Sequence, residues 1–172
     1  MARKGEMKIQ KGFTIIETSL VIAIAGLIFL MVFVALPGLR AQQRDTERRE
    51  AVTKTVREIK NYQSNNRGAL PSGETGTFLD FYNNYLGGED FMDPSGEEYK
   101  VFLTQCTATT LDSECTNRNL QSLSEATFPN DYSMYIVTEA SCDGEKAVKS
   151  SNPRSYAVLY RLERSGVYCE ND

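Results

Sequence analysis

The chain has 172 residues, 41% of them hydrophobic and 24% charged, with 19 Lys and Arg against 23 Asp and Glu and a formal net charge of -4. It contains no histidine, which excludes Ser-His-Asp and Cys-His catalysis and every histidine-ligated metal site. The length fits one domain, or one domain with an appendage, and the average composition conceals two unlike stretches.

Residues 1–12 are basic: Arg3, Lys4, Lys8 and Lys11 stand against Glu6 alone, a net of +3. From Leu20 to Leu36 there is no charged or strongly polar residue, and the run extends back with little interruption to Phe13. A helix over 13–36 is about 36 Å long, enough to cross a hydrocarbon core of about 30 Å. Such a helix offers water no polar face, which argues against a soluble core helix. The basic flank keeps the N-terminal end in the cytoplasm and sends residues 50–172 outward. A secretory signal peptide would have an apolar run of about 7 to 15 residues ending at small side chains. This run instead ends Phe33-Val34-Ala35-Leu36-Pro37-Gly38, with bulky Phe33 where a small residue is wanted.

Glu17 interrupts the start of the span. A carboxylate at the centre of a membrane helix disfavours insertion by roughly 2.5 to 3.5 kcal/mol, and even near one end it calls for a partner. The segment Lys11-Gly12-Phe13-Thr14-Ile15-Ile16-Glu17, between a basic leader and an apolar run, resembles the prepilin signature of type IV pilins and pseudopilins. The resemblance implies cleavage by a prepilin peptidase between Gly12 and Phe13, N-methylation of Phe13, and an assembly role for Glu17. Physically, cleavage would create a positive amine at Phe13, and a neighbouring subunit could offer Glu17 to it. Each charge is unfavourable in lipid alone, and pairing relieves both.

Residues 37–67 are expected to continue the helix as an amphipathic segment. Pro37-Gly38 predicts a kink or local melting. Beyond it Val52, Val56, Ile59 and Tyr62 form one apolar stripe suited to packing on a sheet. The charges between Arg40 and Arg49 could meet lipid headgroups, but their interleaving with Asp45 and Glu47 reads better as a solvated face. Asn65-Asn66-Arg67-Gly68 supplies a helix stop, with Pro71 beyond.

Residues 68–172 are expected to form an extracytoplasmic globular head. They carry 7 Lys and Arg against 17 Asp and Glu, which argues against nucleic-acid binding by this part. After turn-rich sequence around a short helical segment, Phe78 to Leu86, strand-like stretches appear at Tyr99–Leu103, Tyr132–Thr138, Tyr156–Leu162 and Val167–Cys169, with Ser165-Gly166 as a terminal hairpin turn. The expected fold is α+β: a long N-terminal helix, half of it transmembrane, packed on a small antiparallel sheet. That arrangement extends the resemblance weakly over the whole chain.

Cys106, Cys115, Cys142 and Cys169 all lie in this outer part with no C-x-x-C pair, which argues against a zinc ribbon or a thioredoxin-like site. An even number outside the membrane points to disulfides. Of three connectivities, Cys106–Cys115 with Cys142–Cys169 is favoured, the first a local clasp and the second pinning the C-terminal segment. The acids Glu89, Asp90, Asp93, Glu97 and Glu98, and Asp143-Gly144-Glu145, lack the ligand spacing of a calcium loop, so no metal or other cofactor is expected.

These features predict a non-enzymatic structural subunit of a type IV pilus, a single-pass protein of the cytoplasmic membrane before assembly and part of an extracellular fibre afterwards. Its expected partners are other copies of itself, the prepilin peptidase, and the assembly platform with its motor ATPases. A pseudopilin of a type II secretion or DNA-uptake machine shares the motif and chemistry. A non-polymerising, single-span anchored binding domain would need neither Gly12 nor Glu17, and nothing singles out a carboxylate pair for an anchored hydrolase.

Overall fold

A computed structural model of the chain describes residues 12–73, 77–87, 90–116, 132–164 and 166–172. The leader over 1–11, Glu89 and Ser165 lie outside these residues. The elements are α1 (Ile15–Asn65), α2 (Thr77–Phe81) running into a π-helical turn (Tyr82–Leu86), then β1 (Lys100–Gln105), β2 (Ser133–Thr138), β3 (Ala140–Asp143), β4 (Lys146–Lys149), β5 (Tyr156–Arg161) and β6 (Val167–Asn171). Two compact units divide at Arg40/Ala41.

The first unit is the apolar part of α1. Contrary to the expected local melting, no residue between Ile15 and Asn65 leaves the helix, and Pro37 lies inside it. Proline removes its own N–H from the ladder, but the hydrogen bonds on either side persist and hold the helical path.

In the second unit, Ala41–Asp172, the rest of α1 covers one face of a four-stranded sheet of order β1-β2-β5-β6. The stripe Val52, Val56, Ile59 and Tyr62 is buried with Met134 and Ile136 of β2 and Tyr156, Val158 and Tyr160 of β5. The alternate residues, Tyr135 and Val137 of β2 with Ala157 and Leu159 of β5, turn to the other face. There they bury against Ala140, Ala147 and the Cys106 and Cys115 side chains. Both central strands are covered on two faces, which is why they read as near-continuous apolar runs. Tyr156 Oη donates to the Val56 carbonyl at 2.9 Å, joining sheet to helix inside the core.

The sheet is mixed rather than antiparallel. β1 pairs with β2 in parallel, Lys100 opposite Ser133 through Gln105 opposite Thr138, while β2–β5 and β5–β6 are antiparallel. A parallel pair needs a long crossover, and the stretch from Cys106 to Tyr132 supplies it. β3 and β4 form a separate hairpin that sequence patterning did not show. Glu139, with φ of +58°, turns the chain out of β2 into that hairpin. At the other end of α1, the Gly68 N–H reaches back to the Gln63 carbonyl at 2.7 Å. Gly68 holds φ of +83°, a conformation glycine adopts without strain, so the stop falls where expected.

The expected solvated face holds for Arg40, Glu47 and Arg49, which are exposed, but not for Arg44, Asp45 and Arg48. Arg48 is 1% exposed and forks onto Asp93, Nε to Oδ2 at 2.7 Å and Nη2 to Oδ1 at 3.0 Å. Its Nη1 donates to Asp45 at 3.3 Å and Glu163 at 3.2 Å. Asp45 accepts the backbone N–H groups of Glu163 at 2.8 Å and Arg164 at 3.1 Å, while Arg44 forks onto Glu163 at 2.7 and 3.0 Å. Periodicity cannot reveal this, because a charged residue is assigned to solvent unless its partners are known, and these lie 45 and 115 residues away.

Burial by itself would push the Asp93 carboxyl up, but the Arg48 guanidinium and the Ser95 hydroxyl and N–H outweigh it and hold it below its ordinary 3.8. Arg44, with Arg48, holds Glu163 below its ordinary 4.5. A carboxylate with a depressed pKa contributes stability that is present above its unfolded value and lost as pH falls through its folded one. Chemical unfolding, followed by near-UV tyrosine dichroism since there is no tryptophan, is therefore expected to be flat between about pH 5 and 8, where no histidine titrates. Its midpoint is expected to fall steadily below about pH 4.5; an equally stable protein at pH 3 would contradict the network. Arg48→Ala, which strands Asp93 buried and unpaired, is expected to lose about 3 to 5 kcal/mol at pH 7 by the same measurement.

Candidate functional site

Membrane helices are satisfied along their backbone but not at their first turn, where four N–H groups have no partner within the helix. Thr14 and Glu17 meet that need. The Glu17 N–H donates to Thr14 Oγ1 at 3.3 Å, and Glu17 Oε2 accepts both the Thr14 N–H at 3.0 Å and the Thr14 hydroxyl at 2.9 Å. This is a reciprocal capping box, with the threonine just ahead of Ile15 and the glutamate three residues on. The T-x-x-E spacing ahead of an apolar run is a sequence-level signature of such a start, a role for Glu17 distinct from the assembly role expected of it. A carboxylate here also faces the positive end of the helix dipole.

The cap occupies one carboxylate oxygen. Glu17 Oε1 accepts no hydrogen bond among the described residues, so an outside donor such as an amine can reach it. Glu17 shares a recess with Phe13, Thr18, Leu20, Val21 and Ile22, all of them exposed. Phe13 is 86% exposed, and Gly12 precedes it outside any helix or strand, with nothing within 4 Å of where its Cβ would lie. The bond between them is thus sterically open on the described side.

Exposure continues along the helix. Leu20, Val21, Ile22, Ile24 and every large apolar residue from Leu27 to Val34 are at least 44% exposed, and none of the most apolar stretch is buried. The helix is long and apolar enough to cross a membrane. Its side chains find no cover among the described residues, so lipid or another apolar helix is needed to supply it.

The four cysteines are paired as two disulfides, Cys106–Cys115 and Cys142–Cys169, the connectivity favoured from the sequence. The first closes the start of the β1–β2 crossover. The second ties β3 to β6, so the separate hairpin is covalently attached to the edge of the main sheet. Among the described residues no group of three or more His, Cys, Asp or Glu could hold a metal. Asp93 is committed to Arg48, and Asp143 and Glu145 flank the β3–β4 turn at Gly144. No family model, no curated protein and no solved structure matches the chain.

Glutamine also serves at the third position of a capping box, so Glu17→Gln is expected to leave the first turn of α1 intact. Thr14→Val combined with Glu17→Ala removes both side chains of the box and is expected to fray that turn, weakening it by about 1 kcal/mol. Amide exchange at Ile16 to Thr18 in detergent-solubilised full-length protein distinguishes the two. Equal protection in both variants would show that the box does not hold the helix start.

Proposed function

We propose that the chain is the structural subunit of a type IV pilus, matured by a prepilin peptidase between Gly12 and Phe13 and assembled through α1. The observation that carries this reading is an apolar helix with none of its most apolar stretch buried, whose one carboxylate, Glu17, stands five residues beyond Gly12 with an oxygen left over after capping. A simple anchor needs the apolar length and could use the cap, but has no need of the spare oxygen or of a glycine five residues before Glu17. In the proposed sequence of events the precursor waits in the cytoplasmic membrane with lipid around residues 13–36. Cleavage discards the basic leader, and the new amine at Phe13, methylated in this family, meets the Glu17 of a neighbour. Pairing offsets the penalty each charge carries in lipid and selects one register, while the flanking apolar side chains exchange lipid contacts for helix contacts.

Several further features support the assignment. Disulfides persist in oxidising compartments, which agrees with an extracytoplasmic second unit. Its two-sided core and the Arg48 network give it a fold suited to exposure outside the cell. The reading makes the chain a building block and not an enzyme, driven outward by a platform protein and motor ATPases. A pseudopilin would share every step up to emergence from the envelope.

Intact-mass and peptide analysis of material sheared from cells tests the assignment. The expected chain begins at Phe13, carries one added methyl and retains both disulfides, whereas an intact Met1 or a cut near residue 36 would sink it. Glu17→Gln, which keeps the cap and removes the charge, is expected to insert normally and yield little or no filament. Normal filaments from that variant would remove the charge pairing from the mechanism.

A further inference from the structure

The second unit is acidic overall, yet three of its cations line one groove at the C-terminal end of α1. Lys60, Arg67 and Arg154 surround it together with Gln63 and Asn152, and Asp172 is the one carboxylate on its lining. All three cations are exposed, and none of them is in an ion pair among the described residues. Their placement is built in: the Arg154 guanidinium lies against Gly68, where a Cβ would come within 3.0 Å of Nη1, and Gln63 Nε2 donates to the Arg154 carbonyl at 2.9 Å. Three cations around one carboxylate make a locally positive patch on an otherwise acidic unit, a place where an anionic partner is favoured.

A matching surface lies further back along α1. The loop holding Asp93 is clamped to Arg48, which stands about 18 Å along the helix axis from Lys60. On that loop Asp90 and Glu97 are exposed and also without an ion pair among the described residues. The α1 cations nearest the loop are already engaged: Arg44 with Glu163, Arg48 with Asp93, Arg49 over the Tyr168 ring at 4.7 Å, and Lys54 over the Phe91 ring at 5.1 Å with its Nζ donating to the Leu86 carbonyl at 3.0 Å. The groove therefore presents positive charge with no ion pair among the described residues, and the loop presents Asp90 and Glu97 in the same condition. Copies shifted along parallel helices would bring these surfaces together in a heterologous contact, the kind that repeats into an open filament.

We propose that the groove of Lys60, Arg67 and Arg154 is a docking surface for a second copy of this chain, receiving the acidic loop at Asp90 and Glu97 of the next subunit. The inference rests on the polymer reading above and adds to it a contact between heads. It is tested by charge reversal in the full-length chain, expressed in a host with a pilus assembly machine, with sheared filament measured against total subunit. Lys60→Glu with Arg154→Glu is expected to lower filament yield about tenfold, as is Asp90→Lys with Glu97→Lys. Combining all four is expected to restore most of the yield, which repair of a misfolded head could not do. An undiminished yield from the reversed groove overturns the proposal. So does a loss that the reversed loop fails to repair, which would point instead to a polyanion other than the chain itself. Absence of wild-type filaments overturns the polymer reading together with this inference, whereas normal wild-type filaments with an indifferent groove overturn this inference alone.

Discussion

A single buried guanidinium organises the second unit. Arg48 leaves water almost completely, and the cost of removing a cation from solvent is several kcal/mol unless its donors are matched. Here they are matched by carboxylates from three directions: Asp93 from the loop before β1, Glu163 from the β5–β6 connection, and Asp45 from the preceding turn of its own helix. Lysine could not substitute, because one ammonium cannot fork onto Asp93 and still reach Asp45 and Glu163. With this helical turn held, the stripe from Val52 to Tyr62 is set over the inward residues of β2 and β5, and the apolar core follows from that register.

The two units answer to different solvents. In the second, alternation along β2 and β5 gives each strand two buried faces, one under α1 and one under the disulfide-bound hairpin and crossover. In the first, no such partner exists among the described residues, and large apolar side chains stay exposed along the helix. At about 25 cal/mol per Å² of apolar surface, a helix of this kind is strongly driven out of water into lipid or against its like. Glu17 is the exception to that apolarity, and its geometry reconciles two demands: one oxygen satisfies the open first turn, and the other stays available to a donor from outside.

Much of this was legible in the residue order because it depends on local spacing. The span, the stripe on α1, the stop at Gly68 and four of the strands all follow from periodicity or from turn chemistry over a few residues. The β3–β4 hairpin escaped because Ala140-Ser141-Cys142-Asp143 carries little strand propensity. It is held by Glu139's unusual backbone, by pairing to β4 and by the bond from Cys142 to Cys169. The parallel pairing of β1 escaped because strand direction is a property of how a connection returns, which strand composition does not encode. The capping function of Glu17 is legible in T-x-x-E as well, since it too rests on local spacing.

By itself, then, the amino-acid order determined the membrane-length helix, the place of its one carboxylate five residues after Gly12, and the confinement of all four cysteines to the part of the chain beyond the apolar run, since each rests on contiguous residues. Only the tertiary structure decided that Arg48 and Asp45 are interior, that the sheet is mixed, which cysteines meet, and that Lys60, Arg67 and Arg154 gather in one groove. The reason is the same in each case. Burial, strand direction and charge complementarity arise between residues distant in the chain, and a side chain's own chemistry does not state who its neighbours will be.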